Sequence, residues 1–261
     1  MRHSFHSARI LRWMKKPLIS LGTAGTMLFF YPLFSFSAPI DGLVVQGVAN
    51  IAQQANATLI NQQSTRAVID WRSFDIAANE SVKFNQPGSS SVALNRITGG
   101  DPTTILGQLS ANGRVFLVNP NGVLFGSSAK VDVAGLVATT LKVNADAFMA
   151  GGNLFTQDLS KANSYIVNQG EIKIDDNGFC FLVAPGVKND GTILAQLGKV
   201  VMASGKELSI DFNGDGLMTY KVSGKVLDSV IGPDGKPMGA AVENTGKVSA
   251  KGGDIVMVGS A

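Results

Sequence analysis

Two residue types that carry much of protein chemistry are nearly missing from this sequence. It has one cysteine, Cys180, and two histidines, His3 and His6, in 261 residues. A single thiol excludes any intrachain disulfide. Beyond His6 there is no imidazole, which excludes Ser-His-Asp and Cys-His catalysis and most zinc sites from the rest of the chain. Charge is scarce as well, at 16% of residues. Past residue 37 no apolar run approaches a membrane-spanning length and none keeps a 3.6-residue period. Neither a transmembrane helix nor a helical bundle is expected there. Glycine, by contrast, is abundant at 30 residues, in a chain that is 45% hydrophobic. That combination favours a turn-rich β architecture with a sizeable core, as one large domain or two ordinary ones. Cys180, inside the segment GFCFLVAP, reads as a small buried hydrophobe.

The net charge of +3 and the pI near 9.0 belong to the first residues. Arg2, Arg9, Arg12, Lys15 and Lys16 precede the first acid, Asp41; five removed from 22 leave 17 basic residues against 19 acidic ones. A chain starting near residue 38 is therefore slightly acidic, and no nucleic-acid partner is expected. Residues 1–37 read as a secretory signal peptide. A basic region ends at Lys16, an apolar stretch runs from Leu18 to Phe36 broken by Pro32, and Ser35 and Ser37 occupy positions −3 and −1 for cleavage before Ala38. Cleavage after Ala38 is disfavoured by Pro39 beyond the bond and Phe36 at −3. The competing reading is an uncleaved anchor, since the stretch is nearly long enough to span.

The chain is organised around NGRVFLVNPNGVLFG, residues 112–126. Val115 to Val118 and Val123 to Phe125 are too short for helices and rich in β-branched and aromatic residues, so each reads as a strand buried on both faces. Between them, Asn119, Pro120, Asn121 and Gly122 suit a type I turn: Asn at the first position, Pro with preset φ at the second, Gly at the fourth. Upstream, Val44-Val45 and Thr58 to Ile60 read as opening strands that cap the fold. Ala67 to Phe84 reads as two strands joined at Ala77 to Glu80, with Trp71 in the core. Pro87 to Ser91 is a turn, and a short strand from Val92 ends at Asn95. Downstream, Ala129 to Thr140 reads as two short strands around Gly135, and Ala145 to Asn163 as an excursion.

A repeat then appears. Asn168-Gln169-Gly170, Asn189-Asp190-Gly191 and Asn244-Thr245-Gly246 are each followed nine or ten residues after the Asn by a second glycine, Gly178, Gly198 or Gly253. Each of those opens an apolar run. The first two units are 21 residues apart. A period near 20 with short strands and Asn/Gly corners is the signature of a parallel β-helix coil, with Asn or Gly expected to take left-handed corner conformations. The gap before the third unit leaves room for an insertion, with a hairpin tip at Pro233 to Pro237.

NPNGVLFG preceded by SANGRVFLV, with AVIDWRSFDIAANESVKFNQP from Ala67, VALNRITGG from Val92 and ILGQLSANG from Ile105, resembles the filamentous-haemagglutinin type of secretion domain. Such domains open the large exoproteins of bacterial two-partner secretion. The resemblance covers roughly residues 40–261. It implies an all-β, right-handed parallel β-helix over residues 38–261, with an N-terminal cap and short extra-helical hairpins. It also implies export across the periplasm of a Gram-negative cell and engagement of the periplasmic domains of a dedicated outer-membrane β-barrel transporter. Folding then follows at or beyond the cell surface, where a host receptor or glycan is a further partner. Asn119, Pro120, Asn121 and Gly122, then Asn95 and Arg96, are the candidates for transporter recognition, against the plain alternative that all six are structural corners. The cysteine pair of some haemolytic members is absent here.

Three other features carry less. Asp211-Phe212-Asn213-Gly214-Asp215-Gly216 opens like a calcium loop, but Val222 stands where a bidentate Glu is needed, so a turn is the better reading. Asp175-Asp176 resembles the paired acids of β-helix polysaccharide hydrolases but lies in a D-D-N-G turn without histidine. No catalytic residue, metal or cofactor is expected. The rival classes are such an enzyme and a self-sufficient surface adhesin. Because the sequence stops where another coil would follow, the expectation is a fragment whose effector portion lies elsewhere.

Overall fold

The computed structural model describes residues 38–161, 164–212, 218–224 and 230–259. The leader expected over residues 1–37 and most of the calcium-like loop lie outside these. The chain enters through strands β1 (Leu43–Gln46), β2 (Ala49–Gln54), β3 (Ala57–Gln62) and β4 (Arg66–Trp71). β1 pairs antiparallel with β4 and β2 with β3. This is the expected cap, and β2 is the strand that the sequence did not reveal. Everything stacked on it is parallel.

The coils follow as β5 (Ser81–Asn85), β6 (Val92–Ile97), β7 (Thr103–Ile105), β8 (Gln108–Val118), β9 (Val123–Phe125) and β10 (Lys130–Thr139). β5 and β6 both pair with β8, one on each half, and β8 pairs along its length with β10. Long strands therefore bend around a corner and serve two faces of the coil. The two short strands expected around Gly135 are one strand, β10, whose register shifts between Val133 and Gly135. A Cβ on Gly135 would lie 3.0 Å from the Phe179 ring, so the bend sits where a side chain would crowd its neighbours. The strand expected to end at Asn95 runs on to Ile97, because Asn95 finds its hydrogen bonds inside the fold.

The expected excursion comprises β11 (Lys142–Val143), helix α1 (Ala145–Met149), β12 (Leu154–Thr156) and a single 3-10 turn, Leu159–Lys161. The short helix is capped by Asn144 Oδ1, which accepts from the Ala147 amide at 2.9 Å. The coils resume with β13 (Tyr165–Asn168), β14 (Glu171–Ala184), β15 (Gly186–Asn189), β16 (Thr192–Ala195) and β17 (Lys199–Ser204). An insertion contributes β18 (Glu207–Phe212) and β19 (Met218–Ser223), and the last described coil has β20 (Val242–Asn244), β21 (Lys247–Ser249) and β22 (Asp254–Val258). β7, β9, β13, β15 and β20 form the third face as a separate parallel sheet. The result is a right-handed parallel β-helix.

Two cores explain why Val115 to Val118 do not alternate. Val115 and Leu117 point into the solenoid with Ala93, Leu136, Cys180, Leu182, Val200 and Met202. Phe116 and Val118 point outward, into a second core with Leu94, Val137, Phe181, Val183 and Val201. That outer core is covered by an antiparallel sheet, β11-β12-β18-β19, whose central pairing joins the excursion to the insertion: Phe155 opposes Leu208. Phe116 lies at its centre, 6.0 Å from the Phe148 ring, 6.1 Å from Phe155 and 6.4 Å from both Phe179 and Phe212.

The repeated corners are built differently from the sequence expectation. Asn168, Asn189 and Asn244 do not adopt positive φ; left-handed backbone falls at Asn177, Leu197 and Gly252, each just before the second glycine of its repeat. The asparagines instead form a ladder along the axis. Asn168 Nδ2 donates to Asn189 Oδ1 at 2.7 Å, and Asn189 Nδ2 donates to Asn244 Oδ1 at 2.7 Å. Asn168 and Asn189 are fully buried. Glycine is needed beside them for space. A Cβ on Gly170 would lie 2.6 Å from Gly126 O, and Cβ atoms on Gly191 and Gly246 would overlap the carbonyl of the corner glycine beneath.

Asn189→Ala removes both rungs and leaves buried amide groups unpaired, at about 1–3 kcal/mol each. The urea midpoint should drop by the equivalent of about 2 kcal/mol or more, whereas exposed Asn50→Ala should change stability by less than about 0.5 kcal/mol. Equal midpoints for the two variants would sink the ladder.

Candidate functional site

The corner from Asn119 to Gly122 is a hydrogen-bonded turn, the Gly122 amide donating to Asn119 O at 3.1 Å. Asn119 is fully buried. Its Nδ2 donates to Asp101 O and Thr103 Oγ1, both at 3.0 Å, and its Oδ1 accepts from the Asn121 amide at 2.9 Å and Asn121 Nδ2 at 3.0 Å. The side chain is thus saturated. Asn121, half-buried, also reaches back with Nδ2 to Gly99 O at 2.9 Å, tying this coil to the preceding one. Gly122 has φ +127, where a side chain is strained, and a Cβ would lie 3.2 Å from Tyr165 O of the coil above.

Asn95 and Arg96 divide in role. Asn95 is fully buried and accepts from Trp71 Nε1 at 3.0 Å, while its Nδ2 donates to Ala93 O and Phe116 O. Trp71 itself packs edge-on against Phe74, and both are fully buried core residues. Arg96 is only partly buried and forms a two-pronged pair with Asp70, Nε to Oδ1 at 2.7 Å and Nη2 to Oδ2 at 2.9 Å.

Of the six candidates, Arg96, Pro120 and Asn121 reach one surface cleft of about 450 Å³. Its other wall comes from the excursion: Lys142, Val143, Asp158 and Lys161. Sequence reasoning missed these four, because nothing in local pattern signals that residues 20 to 40 positions beyond the turn fold back beside it. Lys142 Nζ contacts Asp158 Oδ2 at 2.7 Å, and Asp158 Oδ1 accepts from Ser160 Oγ at 2.8 Å and the Ser160 amide at 3.1 Å. The Lys142 hydrogen bond first, and those from Ser160 after it, hold the Asp158 carboxyl down to about 2.

The remaining sequence candidates fall away from this cleft. Asp175 and Asp176 sit exposed where β14 bends. No cluster of three metal-ligating side chains occurs among the described residues. Cys180 is buried in the solenoid core, and burial pushes its thiol up to about 12.

The described fold is a capped parallel solenoid with a lateral antiparallel cover and an Asn-Pro-Asn-Gly corner facing a cleft. The chain belongs to the TPS secretion domain family, whose model matches residues 37–260. It is 37% identical over 204 residues to a heme/hemopexin-binding protein of Haemophilus influenzae, covering 76% of this chain and 22% of that protein. A second Haemophilus influenzae heme/hemopexin-binding protein is 51% identical over 86 residues, covering 33% of this chain and 9% of that one. The chain thus spans about a fifth or less of the curated relatives it matches. Among solved structures, the HMW1 secretion domain of Haemophilus influenzae superposes with a TM-score of 0.71 at 30% identity, covering 85% of this chain and 57% of that one. Membership places the chain with the secretion domains of exoproteins.

The pH dependence of the cleft wall follows from the sign of the Asp158 shift. A carboxyl held below its unfolded value of about 3.9 stabilises the fold fully above that pH and progressively loses the effect as pH falls toward 2. The stability difference between the parent and Asp158→Asn should be constant from about pH 5 to 7, near 1 kcal/mol after solvent screening, and should vanish between about pH 4 and 2. Urea titrations at stepped pH check this; a difference that persists at pH 2 contradicts it.

Proposed function

We propose that this domain carries a longer exoprotein to a dedicated outer-membrane β-barrel transporter, with residues 1–37 as a cleaved signal peptide and the exported chain beginning at Ala38. The observation that carries the reading is the match of one secretion-domain family over residues 37–260. The Asn119 to Gly122 corner, with Arg96, forms part of what the transporter recognises. Asn95, Asn119 and Gly122 are buried and give that surface its shape, while Arg96, Pro120 and Asn121 reach solvent.

The cargo is a portion of the exoprotein beyond this domain. Its activity is haem or hemopexin binding, a reading supported by the two relatives of that name. Both histidines of the chain, His3 and His6, fall in the leader, and Cys180 lies inside the core. An adhesive cargo, with a host receptor or glycan as partner, is the second reading.

Secretion of variants from a strain carrying the partner transporter tests the recognition role against stability. Asn121→Ala loses bonds to Gly99 O and Asn119 Oδ1 and should cost about 1–2 kcal/mol. Gly122→Val forces a β-branched residue to φ +127 and should cost more, about 3 kcal/mol. Recognition at the corner predicts that Asn121→Ala lowers secretion further than its urea midpoint explains, with the secreted parent starting at Ala38 by N-terminal sequencing. Secretion that falls strictly in step with stability across both variants would leave the corner a structural turn only.

A further inference from the structure

Asparagine is followed directly by glycine at Asn112, Asn121, Asn177 and Asn213. In such a pair the glycine nitrogen can attack the asparagine side-chain carbonyl, because glycine has no Cβ to obstruct the approach. Asn213 lies outside the described residues, and the structure treats the other three differently. Asn112 Oδ1 accepts from the Gln86 amide at 2.7 Å, and its Nδ2 donates to Gln86 O at 2.8 Å. Both ends of that side-chain amide are clamped. Asn121 Nδ2 donates to Gly99 O at 2.9 Å and to Asn119 Oδ1 at 3.0 Å. The attacking group there, the Gly122 amide, is itself engaged, donating to Asn119 O at 3.1 Å.

Asn177 is held far less. Its side chain is exposed and makes no hydrogen bond among the described residues. Its backbone has φ +60, in the left-handed region that Asn enters more readily than most residues. The strand ladders on both sides pass it by. Towards β10, Ile174 pairs with Val133 and Phe179 with Gly135, so Asp175 to Gly178 stand opposite Ala134 alone and bulge from the wall. Towards the next coil, pairing stops at Ile174 with Ala195 and resumes at Phe179 with Lys199. One backbone bond, the Asn177 amide to Gln196 O at 3.1 Å, anchors the bulge.

We propose that Asn177 is a site of non-enzymatic deamidation in the folded domain, with water as the only co-reactant. The Gly178 nitrogen loses its proton to solvent base and attacks Asn177 Cγ. The new N–C bond closes a five-membered succinimide, the Cγ–Nδ2 bond breaks, and the nitrogen leaves as ammonia after taking a proton from water. Water then opens the ring at either carbonyl, giving aspartate or isoaspartate; nothing is oxidised or reduced. The product adds a carboxylate beside Asp175 and Asp176 on one exposed bend of β14. Isoaspartate also routes the backbone through the side-chain methylene. That lengthens the path into Gly178, a position so close to the coil beneath that an added Cβ would overlap Ala134 O.

The test incubates the full folded chain in mildly alkaline buffer and follows each Asn-Gly pair by peptide mapping with mass spectrometry, reading the mass gain of amide-to-acid conversion. The clamped amides must first break their hydrogen bonds, so conversion at Asn177 should be about ten-fold or more faster than at Asn112 or Asn121. In urea, where all three are released, the rates should converge. Asn177→Asp keeps a residue that tolerates left-handed backbone and supplies the reference peptide. One of two equal-mass products from the aged parent should co-elute with it, the other being the isoaspartyl form. Conversion at Asn177 no faster than at the clamped pairs would overturn the proposal. So would an excess at Asn177 that persists undiminished in urea, since the neighbouring sequence and not the fold would then set the rate.

Discussion

The fold depends on how closely successive coils approach at their corners. Parallel strands stack at a fixed spacing of about 4.8 Å, and the corners must keep that spacing without the strand ladder to set it. Here they do so with glycine. At Gly170, Gly191 and Gly246 a Cβ would meet the backbone of the corner beneath, and at Gly198 and Gly253 the same holds one face further on. Close approach then brings the asparagine amides of neighbouring coils within bonding distance, so one constraint produces both the glycine column and the asparagine ladder. Inward side chains fall into register as a consequence: Leu136, Cys180 and Val200 lie over one another on the second face.

A solenoid wall usually turns its outer surface to water. This one buries a large part of it, and the cover is assembled from two segments well separated in the chain. β12 gains its long partner only when β18 arrives, although the outward Leu94, Phe116 and Val137 belong to earlier coils. A chain delivered from its N-terminus would complete its inner core coil by coil and its outer core late. That order suits vectorial folding, in which each stacked coil opposes backward movement and the cover locks the finished stack. The excursion that begins the cover also walls the cleft beside the Asn-Pro-Asn-Gly corner, so the apolar cover and the candidate recognition surface share one piece of chain.

Local pattern was sufficient for the coils and insufficient for the cover. The 21-residue repeat, the turn at Asn119 to Gly122 and the strands flanking it are encoded in adjacent residues, and they stand where expected. A polar residue after Val92-Ala93-Leu94 looks like a strand end, but the side-chain oxygen of Asn95 accepts from Trp71 Nε1, 24 positions away, and the strand continues. Residue type alone suggests left-handed backbone at the corner asparagines, whereas their side chains bond the next coil. Lys142, Asp158 and Lys161 carried no signal, since only the folded excursion brings them to Arg96 and Pro120. In each case the missing information was a contact between coils.

The claim that glycine serves close approach, and not backbone freedom, can be tested at two positions with negative φ or open surroundings. Gly191 does not have positive φ, yet a Cβ there would overlap Gly170 O; Gly88 has nothing within 4 Å of an added Cβ. The most direct measurement is the urea midpoint of Gly191→Ala beside that of Gly88→Ala. Overpacking of the corner predicts a loss of about 1–3 kcal/mol for Gly191→Ala and a change within about 0.5 kcal/mol for Gly88→Ala. If Gly191 were present only for flexibility, alanine would stiffen the unfolded chain and stabilise the protein by about 0.4–1 kcal/mol. A Gly191→Ala protein as stable as the parent, or more so, would contradict the account.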